Sequence, residues 1–247
     1  MALNTSIEWT ETTWNPVTGC TRFSAGCTHC YAERMARRLQ AMGQANYANG
    51  FEVALHENML ELPLQWKRPQ RIFVNSMSDL FHEAVPDDFI RQVFDVMNRA
   101  SWHQFQVLTK RSVRLSDMRY RLPWAENIWM GVTVERADYR SRLDNLRQAD
   151  AAVKFCSLEP LLGPLSELDL SGLDWVIAGG ESGPGARPMA VEWVRDIRDA
   201  CRAQSVPFFF KQWGGVFKKR AGRQLDGREW NQMPGEIVGN QRPGDSQ

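Results

Sequence analysis

WNPVTGCTRFSAGCTHCYAERMARRL, residues 14–39, reads as a strand that runs into a loop and then into a helix starting near Tyr31. The loop carries Cys20, Cys27 and Cys30, and its Gly19 and Gly26 supply the positive φ and close backbone approach that a loop wrapped round a bound group requires. The same order recurs down the chain. RIFVNS (71–76), FQVLT (105–109), IWMGVTV (128–134), VKFCSL (153–158), WVIA (175–178) and PFFFK (207–211) are short runs rich in β-branched and aromatic residues, which read as buried strands. Between them lie segments of helical period, among them FIRQVFDVMNRA (89–100) behind Pro86-Asp87-Asp88, residues 136–149 and residues 191–203.

Strands alternating with helices imply a mainly parallel sheet with right-handed crossovers. One strand before Cys20 brings the total to about seven, short of the eight of a closed barrel, so the expected fold is α/β, an open, partial TIM-like β/α barrel. In such a fold the chemistry sits on the loops at the C-terminal ends of the strands. The chain places its polar residues there: Ser76-Met77-Ser78-Asp79, Thr109-Lys110-Arg111, Thr133 and Glu135, Ser157 and Glu159, and Gly179-Gly180-Glu181-Ser182. The barrel is expected over residues 1–213, with 214–247 as an extension that packs on it, anchored by Trp230.

With 43% hydrophobic and 24% charged residues, the 247-residue chain is neither disordered nor fibrous. A net charge of +1 excludes a broadly basic, nucleic-acid-coating surface. Three local basic groups remain: Lys67, Arg68 and Arg71; Lys110, Arg111, Arg114, Arg119 and Arg121; and Lys218, Lys219, Arg220 and Arg223. They read either as solvated faces or as contacts for a phosphate-bearing partner. No leader and no membrane-spanning run is visible, so a cytoplasmic location without a membrane partner is expected.

Five cysteines, three of them within eleven residues, suit metal ligation in a reducing compartment better than a disulfide framework. Three thiolates can hold three irons of a cubane and leave the fourth iron open to a chelating cofactor. Zinc is the alternative, with His29 or His82 as fourth ligand. Cys156, by strand alternation, and Cys201, in a helix, read as inert packing. Of ten tryptophans most are expected in the core, although Trp213 and Phe208 to Phe210 could stack a flat substrate.

Asn15-Pro16, Gly19-Cys20, Cys27, Cys30 and Tyr31-Ala32 resemble the NP–GC–C–CYA signature of the radical S-adenosylmethionine enzymes related to spore photoproduct lyase. Six residues separate Cys20 from Cys27 where those enzymes have three, and the longer loop resembles a phage-associated branch found beside a three-Cys-motif partner protein. Ser78-Asp79 resembles the family's TDP-type motif and residues 108–112 (LTKRS) its TKS motif. SLEPLLGP (157–164), GGESG (179–183) and FKQWGG (210–215) resemble the phage-type branch.

The resemblance implies a [4Fe-4S] cluster on Cys20, Cys27 and Cys30, bound S-adenosylmethionine, an external electron donor, and a nucleic acid or nucleotide as substrate for repair or modification. Lys110 suits the cofactor carboxylate, and Asp79, Glu159 or Glu181 its ammonium or ribose. Ser76, Thr109 and Thr133 complete the expected cofactor contacts, with Lys110 and Glu159 as catalytic candidates. Two other functions stay open: a metal-stapled binding module without catalysis, and a barrel hydrolase built on Asp79, His82 and Glu83.

Overall fold

The computed structural model describes residues 5–235. Its centre is a seven-stranded sheet of β1 (Thr12–Trp14), β4 (Arg71–Val74), β5 (Gln104–Thr109), β6 (Ile128–Thr133), β7 (Val153–Leu158), β8 (Trp175–Gly179) and β9 (Phe208–Gln212). Every pairing is parallel, and the strands lie side by side in sequence order. Each crossover therefore steps the same way, so the helices collect on one face and the sheet curls into a half-barrel. A two-stranded antiparallel sheet, β2 (Val17–Thr18) with β3 (Ala54–Leu55), holds the chain just ahead of Cys20.

The helices are α1 (Tyr31–Ala41), α2 (Asp87–Arg99), α3 (Ser112–Met118), α4 (Ser141–Arg147), α5 (Val191–Ala203) and α6 (Lys218–Ala221). Aspartates 87 and 88 in the first turn of α2 and Arg99 in its last complement the helix dipole, and Phe89, Ile90, Val93, Phe94, Val96 and Met97 form its buried stripe. Two expectations shift. Residues Ala137–Tyr139 turn as a 3-10 segment before α4, and strand β4 ends at Val74 because Asn75 adopts a left-handed φ of 58°. Asparagine tolerates that region better than other non-glycine residues, and its Oδ1 accepts from the Val17 amide at 3.3 Å.

Alternation divides the sheet into two chemistries. Ile72, Val74, Phe105, Val107, Val132, Cys156, Leu158, Val176, Ala178, Phe208 and Phe210 face the helix layer, where Cys201 also lies. Both cysteines are thus core packing, as strand alternation implied for Cys156 and its place in a helix for Cys201. Between β7 and β8 no helix covers the sheet; Leu161, Leu165, Leu168, Leu170 and Leu173 of the irregular connection do so instead.

The concave face carries Phe73, Trp129, Phe155, Trp175, Ile177 and Phe209, closed by Trp9 from ahead of β1. Trp175 meets Trp9, Trp129, Phe155 and Phe209 with centroids 5.7–6.2 Å apart, mostly edge to face. The lower half of the barrel is a packed aromatic plug. Phe208 to Phe210 therefore fill core, and Trp213 meets Phe210 edge to face with centroids 4.8 Å apart.

The tail covers the free edge of β9. The Phe210 amide donates to Trp230 O at 2.8 Å, the Gln232 amide to Phe208 O at 3.2 Å, and Trp230 is buried against Phe208. Such cover removes an exposed strand edge. Residues 236–247 of the expected extension lie outside the described residues.

A β-carbon on Gly131 would stand 2.5 Å from the Phe155 ring. Gly131→Ala is expected to lower unfolding stability in urea by about 1–3 kcal/mol through overpacking. Phe155→Leu in the same chain should recover part of that loss, and simple additivity of the two changes would refute the steric cause.

Candidate functional site

The cysteine loop crosses the C-terminal rim of the half-barrel. Gly19, at φ 80°, donates its amide to Met77 O at 3.1 Å, and the Cys20 amide donates to Phe51 O at 3.1 Å. A β-carbon on Gly19 would stand 2.0 Å from Glu52 O, so only glycine fits there. Cys27 ends a 3-10 turn, Ala25–Cys27, and Cys30 is the N-cap residue just ahead of α1. All three thiols are free and partly buried.

Three carboxylate–arginine pairs hold this loop from beneath. The first joins Asp79 and Arg111 at 3.2 Å. Asp79 also accepts from the Thr109 hydroxyl at 2.7 Å, the Phe81 amide at 3.0 Å and the Lys110 amide at 3.1 Å, so its oxygens are saturated within the chain. Arg111, 3% exposed, reaches the Cys20 sulfur at 3.5 Å and the Thr21 hydroxyl at 3.0 Å, while its Nε donates to both Glu83 oxygens at 3.1 Å.

The second pair joins fully buried Glu135 and Arg142 at 2.8 Å. Glu135 accepts from the Ser24 hydroxyl, and a β-carbon on Gly26 would stand 2.4 Å from its carboxylate. Gly26 thus permits close approach, with no left-handed φ. The third pair joins Glu181 and Arg187, whose Nε donates at 2.8 Å. Here His29, between Cys27 and Cys30, bonds the same carboxylate at 3.0 Å, and Arg187 continues to Ala25 O at 3.0 Å.

Glu159, beyond β7, belongs to a fourth pair of another kind. Both its oxygens accept from Lys211 Nζ at 2.8 Å, and Gln212 Nε2 adds a donor at 3.3 Å. Lys110 Nζ donates to the Thr133 hydroxyl at 3.5 Å and pairs with Glu135 at 3.9 Å, both long contacts. By alternation from Leu108, Gly131, Phe155 and Phe209, the residues Lys110, Thr133, Ser157, Glu159 and Lys211 top the concave face above the aromatic plug. Ser76 lies at its edge, where its hydroxyl donates to Asn15 Oδ1 at 3.2 Å and its carbonyl accepts from the Tyr31 hydroxyl.

Burial, with the nearby Asp79 charge, pushes the Cys20 thiol up to about 11, although Arg111 works against it. Cys20 is a protonated thiol until a metal displaces the proton. For Glu181, burial would raise the carboxyl, but hydrogen bonds from Arg187 and His29 prevail and take it to about 2.

Arg111, Glu135, Arg142, Arg187 and Lys211 complete this arrangement and were not among the residues expected from sequence to bind cofactor or metal; His29, considered there only as a zinc ligand, instead bonds Glu181. Most of the second basic group has an internal duty. Arg114 caps carbonyls 81, 82 and 85 and pairs with Asp87 at 2.7 Å, and Arg121 shares that aspartate at 3.3 Å. Elsewhere Arg71 faces Glu11 at 3.6 Å and Arg223 faces Glu229 at 3.6 Å, while the side chains of Lys218 and Lys219 lie outside the described residues.

The histidines considered as zinc ligands are engaged too. The Ala84 amide donates to His82 Nδ1 at 3.0 Å, which places the proton on Nε2, 2.8 Å from the Thr21 hydroxyl. Asp79 is saturated, and Glu83 lies on Arg111 and 3.5 Å from His82 Nε2, so the trio considered for hydrolysis is tied into the bracing of the loop. Among the described residues, no group of three or more His, Cys, Asp or Glu side chains closes round a single ion, and no helix is long and apolar enough to cross a membrane.

Fold and rim define an α/β half-barrel protein with a thiol-bearing loop braced across its mouth. The chain belongs to the family described as "Protein of unknown function (DUF5131)", whose model matches residues 4–234. No curated protein matches it. Among solved structures it is similar to spore photoproduct lyase complexed with dinucleoside spore photoproduct, with 12% identity and a TM-score of 0.41 over 74% of this chain and 58% of that one. A mutant of that lyase with bound AdoMet and dinucleoside spore photoproduct gives 12% identity and a TM-score of 0.42 over 76% and 59%. The chain therefore spans less than two thirds of the length of these structures.

The depressed Glu181 carboxyl makes the brace pH-dependent. Its contribution is fully present above the ordinary value of 4.5 and is lost as pH falls toward 2. Glu181→Gln should cost about 3 kcal/mol at pH 7 and much less by pH 3. Thermal midpoints of both proteins at the two pH values test this; a gap that stays constant would show that the pair does not stabilise the fold.

Proposed function

We propose that this protein is a radical S-adenosylmethionine enzyme that acts on a nucleic acid or nucleotide, in repair or modification. The observation that carries the reading is the loop itself: three free thiols, braced by buried ion pairs, over a polar mouth that still offers charged side chains. The donor set fits an iron–sulfur cluster, because Cys20, Cys27 and Cys30 are not joined in a disulfide and the candidate imidazoles are committed elsewhere. When bound, the [4Fe-4S] cluster would supply one electron to cleave S-adenosylmethionine and start hydrogen abstraction.

The chain's own residues divide the remaining work. Three ion pairs fix the loop, which leaves Lys110 and the Glu159–Lys211 pair as the charges at the mouth not bonded to it. Lys110 suits the cofactor carboxylate as a compact point charge. Glu159, held by Lys211, accepts from the cofactor ammonium, and Thr133 and Ser157 add hydroxyls beside them. The Asp79, Thr109 and Glu181 side chains position the loop, and Ser76 borders the mouth. Packing below excludes water. An external electron donor and the three-Cys-motif protein are the partners this reading calls for, in a cytoplasmic setting.

Anaerobic reconstitution with iron and sulfide should give brown protein absorbing near 400 nm. Reduction with S-adenosylmethionine should then release 5′-deoxyadenosine. Colourless protein with stoichiometric zinc, or fully loaded protein that releases none, would overturn the reading in favour of a binding module. Lys110→Ala is expected to weaken S-adenosylmethionine binding about tenfold or more without loss of iron, by equilibrium binding to the loaded protein.

A further inference from the structure

We propose that Arg111 is a positioning residue that raises the reduction potential of the cluster through Cys20. The inference rests on the reading of the three thiols as cluster ligands. Among the described residues, Arg111 is the only cation bonded to a sulfur of the loop; Cys27 has only the Ser24 hydroxyl, at 3.9 Å. Its guanidinium is held on every side: by Asp79 and Glu83, by Thr21, and by the Phe23 ring 4.9 Å from its carbon. An arginine so held keeps one orientation and cannot shed its charge.

A fixed positive charge and an N–H aimed at a ligand sulfur favour the state with one more electron, and burial keeps water from screening them. Glu83 provides the counter-test. It bonds the same guanidinium from the solvent side, with 63% of its side chain exposed, and among the described residues its side chain meets Arg111 and His82 and no cysteine. Its negative charge opposes the electron that Arg111 favours. Removing one charge or the other should therefore move the potential in opposite directions, whereas a merely structural brace would have no such sign.

The test is a redox titration of the reconstituted protein under anaerobic conditions, with dithionite as electron source and the reduced cluster followed by electron paramagnetic resonance. Arg111→Gln should shift the midpoint to more negative values and Glu83→Gln to more positive ones, while Arg111→Lys should restore most of the first shift. Shifts of the same sign, or unchanged midpoints in variants with wild-type iron content, would overturn the proposal. If Arg111→Gln fails to load, the Glu83→Gln midpoint decides alone, and no positive shift counts against it. Wild-type protein that takes up no iron would instead overturn the functional reading, and this inference with it.

Discussion

A buried carboxylate must be matched by a charge or it destabilises the fold, and this structure uses that constraint to fix a loop. Asp79, Glu135 and Glu181 leave water at the ends or just beyond three strands, and each meets an arginine. The cost of desolvating such pairs is offset only when the remaining lone pairs and N–H groups are bonded too. Here they are bonded to the cysteine loop: Cys20 and Thr21 on Arg111, Ser24 on Glu135, His29 on Glu181 and Ala25 on Arg187. A loop of only partial burial thereby acquires one position, since displacing it would orphan charges on several strands together.

The apolar part of the fold does different work. Helix-side residues form an ordinary core in which Cys156 and Cys201 are inert, while the concave side is stacked with rings up to about half its height. Polar side chains occupy the uppermost inward positions. Alternation alone assigns them, because Thr133 follows Gly131 and Glu159 follows Ser157 on one face.

Much of this was legible in the chain. Short β-branched and aromatic runs marked six of the seven main strands, and their alternation with helical segments implied the parallel half-barrel. The missing helix between β7 and β8 was harder to see, because Leu161, Leu165 and Leu168 keep a helix-like spacing in an irregular segment and, with Leu170 and Leu173, cover the same apolar surface. Local spacing found the three cysteines. It could not tell Asp79, which is saturated by its neighbours, from Glu159, which faces the mouth, since both are acidic residues beyond a strand. Arg111 looked like one member of a basic run; its role depends on Cys20, 91 positions away, and on a pairing that only the folded sheet brings together.

The aromatic plug also governs traffic. With Trp9, Phe73, Trp129, Phe155, Trp175 and Phe209 packed across the floor, the half-barrel is a cup rather than a tube. Among the described residues, the inward positions of Lys110 and Glu159 therefore open toward the face that bears the sulfurs and are closed from below.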